Sequence, residues 1–315
     1  MNKTINLSVD SGKSHTKMAW YKHNDPTSKI MADSFSTVMD VGVQPNGFLN
    51  GGTLVEYKGI LYEVGGTSEP SLESDNTKLS ELHELCIFTA IAQMLIKLNL
   101  QLHQTQYIHL AINVPLHDYL NIQDEYINKY KSRHVKLRII NKQISFIISK
   151  VKLNPEGVGV IVRNTISNVG SYYVIDIGGK NDTHLLFENF RPTKGKNSMT
   201  NNGVLRLVQR IASELSSQYD YTIKDVEDIA LGKKTKPPMF EEVFEKHAKE
   251  WVIRIKNQAQ KFILNPHFVK IIISGGGGIF LKKQLEEVFQ DFELIFAKDA
   301  RFDNAKGALI RMKAN

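Results

Sequence analysis

A strand that ends in aspartate, a glycine turn and a return strand occur twice in this chain, and the repetition restricts the fold more than any other feature. Residues 6 to 17 read NLSVDSGKSHTK, and residues 174 to 182 read VIDIGGKND. In each, an apolar β-forming run stops at an aspartate and a glycine turn sends the chain back. Asp10 stands two residues before Gly12, and Asp176 two residues before Gly178. The first copy is a hairpin, not a strand feeding a helix. Its return in the second half of 315 residues predicts two lobes built on one half-structure used twice.

Hydrophobic periodicity fills in an α/β chain around the two hairpins. Strands are predicted at residues 4 to 10, 16 to 22, 53 to 58 and 60 to 64, the last pair turning at Lys58 and Gly59. Leu79, Leu82, Leu85, Cys86, Thr89, Ala92 and Leu95 keep the spacing of one helical face. YIHLAINVPL reads as a buried strand stopped by Pro115, residues 117 to 130 as one polar helix, and VKLRIINKQISFIISKVKLNPEG as two or three strands ending at Pro155. GVGVIVRNT is a small-residue connecting helix that leads into YYVID, where the pattern restarts.

The second half continues with the return strand THLLFENF, a helix from about residue 202, and the basic loop LGKKTKPP at 231 to 238. Phe240, Val243, Phe244, Ala248, Trp251, Ile255, Ala259 and Phe262 mark a long amphipathic helix whose stripe is core packing. KIIISGGGG is a buried strand running into glycines, FLKKQLEEVF a helix, ELIFA a strand and DNAKGALIRM a helix. The expected division is 1–165, with the helix 306–315 returning to it, against 166–305.

Lys and Arg number 40 against 33 Asp and Glu, a formal charge of +7, yet no run of five like charges concentrates it. The charge therefore reads as a basic soluble surface, with no direct nucleic-acid binding expected. Cys86, the single cysteine, lies in a helical pattern and reads as a core thiol in a reducing compartment. No apolar run approaches the roughly 18 residues that span a bilayer, and MNKTINLSVDSG lacks a signal-peptide core. The expectation is a cytoplasmic protein without a membrane partner.

Glycines let backbone N–H groups approach phosphate oxygens, and carboxylates suit a hydrated Mg2+ that takes few direct protein ligands. Asp10 with Gly12, Lys13 and Ser14 supplies one such turn, and Asp176 with Gly178 and Gly179 the other. Lys17, on the return strand, is placed to reach a β- or γ-phosphate. SGGGG, with Gly275, Gly276 and Gly277 after a buried strand, suits close approach of backbone to a flat ligand such as adenosine. Glu156, in NPEGVG, follows the last strand of the first lobe, where a carboxylate can orient water for in-line attack on a γ-phosphorus. G-x-x-x-x-G-K-[ST] is missing, which excludes a P-loop.

VDSGKSHTK, NPEGVG, VIDIGGKND, SGGGG and DNAKGALI, in this order, resemble the actin, sugar-kinase and heat-shock ATPase superfamily. D-x-G with a lysine seven residues after the aspartate, NVPL before a Tyr-containing helix, and N-A-x-G near the C-terminus are most similar to the ParM-type actin-like ATPases of plasmid segregation. The resemblance implies a two-lobed actin-like fold, two ribonuclease-H-like domains around a nucleotide cleft. It further implies an ATPase that polymerises head to tail with ATP and Mg2+ and segregates plasmid DNA through a DNA-binding adaptor on a plasmid centromere.

On that resemblance Asp10 and Asp176 hold water-bound Mg2+, Gly12, Lys13, Ser14 and Lys17 contact the phosphates, and Gly178 and Gly179 close on them. Gly275, Gly276 and Gly277 line the adenosine, and Glu156 positions the attacking water. Lys180, Asn181 and Asp182 depart from the threonines common after the second glycine pair, and ATP and GTP both remain open as the nucleotide. The alternative is a small-molecule kinase of the same superfamily, although a single cysteine cannot build the zinc site some such kinases use.

Overall fold

The computed structural model describes residues 4–43, 51–66, 78–102, 104–139, 141–165, 170–216, 221–230 and 233–313. They fall into two compact units, Met1–Gly159 with Asn304–Asn315, and Val160–Asp303. The chain passes from the first to the second inside a helix and returns at the start of its last helix.

In the first unit, β1 (Ile5–Ser11) and β2 (His15–Tyr21) form the expected hairpin, with Asp10 opposite Lys17. Then come β3 (Ile30–Ser36), β4 (Met39–Val41), β5 (Thr53–Tyr57), β6 (Ile60–Val64), α1 (Glu81–Lys97) and β7 (Gln106–Val114). Helices α2 (Leu116–Asn121) and α3 (Gln123–Tyr130) precede β8 (Arg133–Ile139), β9 (Lys142–Pro155) and α4 (Val158–Asn164). Among the described residues the strands make one sheet of order β3-β2-β1-β7-β9-β8-β5-β6-β4. Lys58 and Gly59 both take positive φ, the backbone that a two-residue hairpin turn requires.

Residues 117 to 130 are two helices where one was expected. Ile122 leaves helical geometry at φ −132°, ψ 26°, and the change of direction carries Tyr126 and Tyr130 fully into the core. The Tyr126 hydroxyl then donates to Asp118 at 2.7 Å. Phe88 of α1 centres this core, edge-on to Tyr57, Tyr130 and Phe146 at 5.7, 6.3 and 6.0 Å between ring centroids. Cys86 is fully buried beside it, and burial pushes its thiol up to about 12, so it is a packing group and not a thiolate.

The second unit contains β10 (Ser171–Ile177), β11 (Asp182–Glu188), β12 (Arg191–Thr200), α5 (Val204–Ser216), α6 (Ile223–Ala230) and α7 (Phe240–Gln260). A 3-10 turn at Pro266–Phe268 leads to β13 (Val269–Ser274), α8 (Gly276–Phe280), α9 (Lys282–Val288) and β14 (Leu294–Phe296), and α10 (Asp303–Lys313) ends the chain. The sheet order is β12-β11-β10-β13-β14. The α7 stripe packs as expected over Phe240, Val243, Phe244, Ala248, Trp251, Ile255 and Ala259, all buried with Tyr173, Ile175 and Ile177 of β10, whereas Phe262 falls in the turn beyond the end of α7 and is only partly buried against the same core. Within 231 to 238, residues 231 and 232 lie outside the described residues.

The repetition seen in the sequence is a repetition of topology. In β3-β2-β1-β7-β9 and again in β12-β11-β10-β13-β14, three antiparallel strands are followed by two parallel ones. Each D-x-G turn leaves the C-terminal end of the central strand of its set, where parallel neighbours also end and where α/β sheets place ligands.

Candidate functional site

Asp10 is the next-to-last residue of β1, paired with Lys17, and is only 4% exposed. Burial by itself would raise its carboxyl, but the Lys17 and Lys78 ammonium groups outweigh that and hold it below the usual carboxylate range. Lys17 Nζ lies 3.5 Å from Oδ2, and Lys78 Nζ donates to Oδ1 at 3.3 Å. The turn beyond is tight: the Gly12 amide donates to the carbonyls of Asp10 and His15 at 3.0 and 3.1 Å. A Cβ on Gly12 would come within 2.9 Å of the His15 carbonyl oxygen, so glycine is required there. Lys13 and Ser14 sit half-buried at the tip, with Ser14 Oγ 2.9 Å from His15 Nδ1. Beneath the turn Ser11, Thr16 and Thr37 form a buried hydroxyl chain, and Ser11 also meets His83 at 2.7 Å.

Glu156 follows β9 directly, its backbone amide donating to the Val114 carbonyl at 2.9 Å. This fixes it beside the end of β7. Lys78, three residues before the start of α1, donates to Glu156 Oε1 at 2.6 Å, to Asp10 Oδ1 at 3.3 Å and to the Asn113 carbonyl at 3.1 Å. Burial alone would lower the Lys78 ammonium, but the two carboxylates prevail and raise it, so it is a cation at neutral pH. The structure thus joins Asp10 and Glu156 through a lysine that sequence reasoning passed over, with Lys17 on the other oxygen of Asp10. Lys78 carries no motif: it stands in DNTKLSEL as one more polar residue before a helix.

The second loop is built differently. The amides of Gly203, Val204 and Leu205, at the start of α5, donate to the carbonyls of Lys180, Gly178 and Gly179 at 3.2, 3.0 and 2.9 Å. Among the described residues every peptide bond is trans, and in a trans peptide N–H opposes C=O. The amides of Gly179, Lys180 and Asn181 therefore point away from α5, a run of N–H groups suited to an anion. Asp182 is not part of that surface. It is fully buried at the start of β11, accepts from Thr200 Oγ1, and lies 3.1 Å from His184 Nε2. Burial alone would raise its carboxyl, but His184 and Thr200 hold it below the ordinary value. Asp182 is a structural anchor, and Lys180 is likewise buried.

Asp176 lies in β10 opposite Thr183 and Ser274. Of the glycines after Ser274, Gly275 caps α8 and Gly276, Gly277 and Gly278 are its first turn, so the run is not a loop preceding a helix. Gly275 takes φ +82°, and a Cβ there would stand 2.5 Å from Asp176 Oδ1 and 2.7 Å from the Ile177 carbonyl carbon. A Cβ on Gly277 would stand 3.0 Å from Ile177 Cβ. These two glycines are already demanded by packing on β10. Gly276 differs: it is exposed, and its Cβ would meet no described atom within 4 Å. Gly276→Ala is accordingly expected to leave thermal stability unchanged or slightly raised while weakening nucleotide binding, a separation read by unfolding and titration on one preparation. Unaltered affinity would remove Gly276 from the adenosine contacts.

Oxygen donors are what a hard cation takes, and among the described residues no group of three His, Cys, Asp or Glu side chains could cage a metal. The carboxylates fit a Mg2+ that keeps its waters and arrives with phosphates, not a dedicated protein cage. No helix of the described residues is long and apolar enough to cross a membrane.

Residues 8–159 match the family model of the actin-like proteins' N-terminal domain. Among solved structures, an Alp12 filament structure is 20% identical, with a TM-score of 0.71 over 99% of this chain and 98% of that one. Bacillus thuringiensis ParM with ATP is 16% identical, with a TM-score of 0.74 over 99% and 100%. Ta0583, an archaeal actin homolog, is 15% identical, with a TM-score of 0.77 over 99% and 99%. Comparison with curated proteins finds no match.

Proposed function

From this actin-like fold, with its actin-like N-terminal domain, we propose a nucleoside triphosphatase that polymerises head to tail with ATP and Mg2+. The observation that carries the reading is the cluster of Asp10 and Lys78, both buried, with Lys17 and Glu156, both partly buried, at the D-x-G turn. A buried Asp10 carboxylate and a partly buried Glu156 carboxylate, held by ammonium groups at the ends of β1 and β9, are expensive to keep without a task. Filament formation draws support from the likeness to an Alp12 filament, and ATP from the likeness to a ParM with ATP.

In this reading Gly12, Lys13, Ser14 and Lys17 contact the phosphates, as do Gly178, Gly179 and the amides that follow them. Asp10 and Asp176 hold Mg2+ through its waters, and Gly275, Gly276 and Gly277 line the adenosine. Mg2+ held there would supply neutralisation of the phosphate charge. Glu156 accepts a hydrogen bond from the attacking water and aligns it with the γ-phosphorus; the proton moves toward Glu156 as the new P–O bond forms and the bond to the β-phosphate oxygen breaks. ATP favours assembly and hydrolysis weakens it.

The contact between copies is heterologous and does not close into a ring, the condition for a filament. A DNA-binding adaptor on a plasmid centromere, and thereby plasmid segregation in the cytoplasm, completes the proposal. High-speed sedimentation tests it: the protein should pellet with ATP and Mg2+ and stay in solution with ADP or with chelator. Protein that remains monomeric with ATP well above micromolar concentration overturns the filament reading.

A further inference from the structure

Lys78 offers an ammonium with three donors, and all three directions end on protein oxygens: Asp10 Oδ1, Glu156 Oε1 and the Asn113 carbonyl. Its side chain is 8% exposed, against 17% for Glu156 and 5% for Asp10. The charged groups facing it come from separate elements: Asp10 from β1, Lys17 from β2 and Glu156 from the end of β9. Two carboxylates and two ammonium groups sum to zero. Both carboxylates lie within hydrogen-bond reach of one nitrogen, so they are close enough to share a single cation.

We propose that Lys78 is the resident counter-ion of the Asp10–Glu156 pair, held where it bars a bare divalent cation from those carboxylates. The proposal rests on the reading of Asp10 as the carboxylate that faces Mg2+. A neutral cluster offers a free divalent ion no net attraction, whereas a metal that arrives on a polyphosphate brings its own anions. Lys78 thereby makes metal uptake depend on nucleotide and keeps Glu156 tied in place until then. It is a positioning residue: its three donors are engaged by protein, and it acts through Asp10 and Glu156.

Removing the ammonium should turn the pair into a cation site. Mn2+ is the probe, titrated without nucleotide and followed by the electron paramagnetic resonance signal of the free ion. Wild-type protein should bind it no tighter than about millimolar. Lys78→Met and Lys78→Gln should each bind it at least about tenfold tighter, as loss of one nearby cation predicts. Lys78→Gln keeps a donor for both carboxylates and guards against a Met variant that fails to fold. Lys78→Arg should behave as wild type, and adding Asp10→Asn to Lys78→Gln should abolish the gain.

Two results overturn the proposal: no tighter binding in Lys78→Gln, or a gain that survives Asp10→Asn. No nucleotide enters this titration, so its failure leaves ATP hydrolysis and assembly standing. Conversely, a wild-type protein that never bound ATP would refute the proposed function without altering the Mn2+ result.

Discussion

Glu156→Gln is expected to lower ATP turnover by about 10²- to 10⁴-fold while leaving nucleotide affinity nearly unchanged. The amide retains an oxygen that can accept from Lys78, which now stands 2.6 Å from Glu156 Oε1, so the local hydrogen bonds need not rearrange. What the amide loses is basicity toward water. In the proposed mechanism Glu156 enters only when water attacks, and a group of that kind affects the rate more than the affinity. Slow hydrolysis should also prolong filaments, since loss of the γ-phosphate is what weakens them in this account. Single-turnover phosphate release and equilibrium nucleotide titration on the same variant measure the two effects separately. Normal turnover would remove Glu156 from the mechanism.

Gly307→Ala is expected to destabilise the first unit by about 3 kcal/mol, with a fall in melting temperature of roughly 10 °C. In an exposed helix the same change would stabilise by about 1 kcal/mol through helix propensity. Here α10 crosses the start of α4 with backbone against backbone: a Cβ on Gly307 would stand 2.6 Å from the Gly159 carbonyl carbon. The converse holds too, since a Cβ on Gly159 would stand 2.7 Å from Asn304 Cα. Neither neighbour is a side chain that can turn away, so overpacking outweighs propensity. The crossing is further pinned by the Gly157 amide, which donates to Asn304 Oδ1 at 2.9 Å. Thermal unfolding checks the prediction, with Gly276→Ala as the glycine-to-alanine control, and an unchanged melting temperature in Gly307→Ala would contradict it.

These expectations show which parts of the molecule were legible in sequence. The hairpins at Asp10 and Asp176 stand out because apolar β-formers on each side of a glycine turn leave little alternative, and α7 does so because its stripe repeats over many turns. The strands β3 and β12 escape that reading. All of β3 is half-buried without alternation, and β12, RPTKGKNSMT, is a polar edge strand held by its ladder to β11. The break at Ile122 is set by two tyrosines seeking the core, a tertiary demand that helical periodicity does not carry.

At the site, the residues that lie on or beside strands were visible because their motifs are local. Lys78 was not, because its partners are distant in sequence and meet only when β1, β7 and β9 pair. Asp182 shows the opposite limit. In sequence it is only a departure from the threonines common after the second glycine pair, and burial with His184 and Thr200 makes it part of the scaffold. The glycines of SGGGG divide in the same way: Gly275 and Gly277 serve packing on β10, and only Gly276 has an open face.

The central claim is that hydrolysis and assembly are one cycle, and following light scattering and phosphate release in the same sample after adding ATP and Mg2+ tests it most directly. The account predicts a rise in scattering on ATP addition, phosphate release that follows it, and a decline once ATP is consumed, with filaments visible by electron microscopy at the plateau. Phosphate release without any rise in scattering, at protein concentrations well above micromolar, would contradict it.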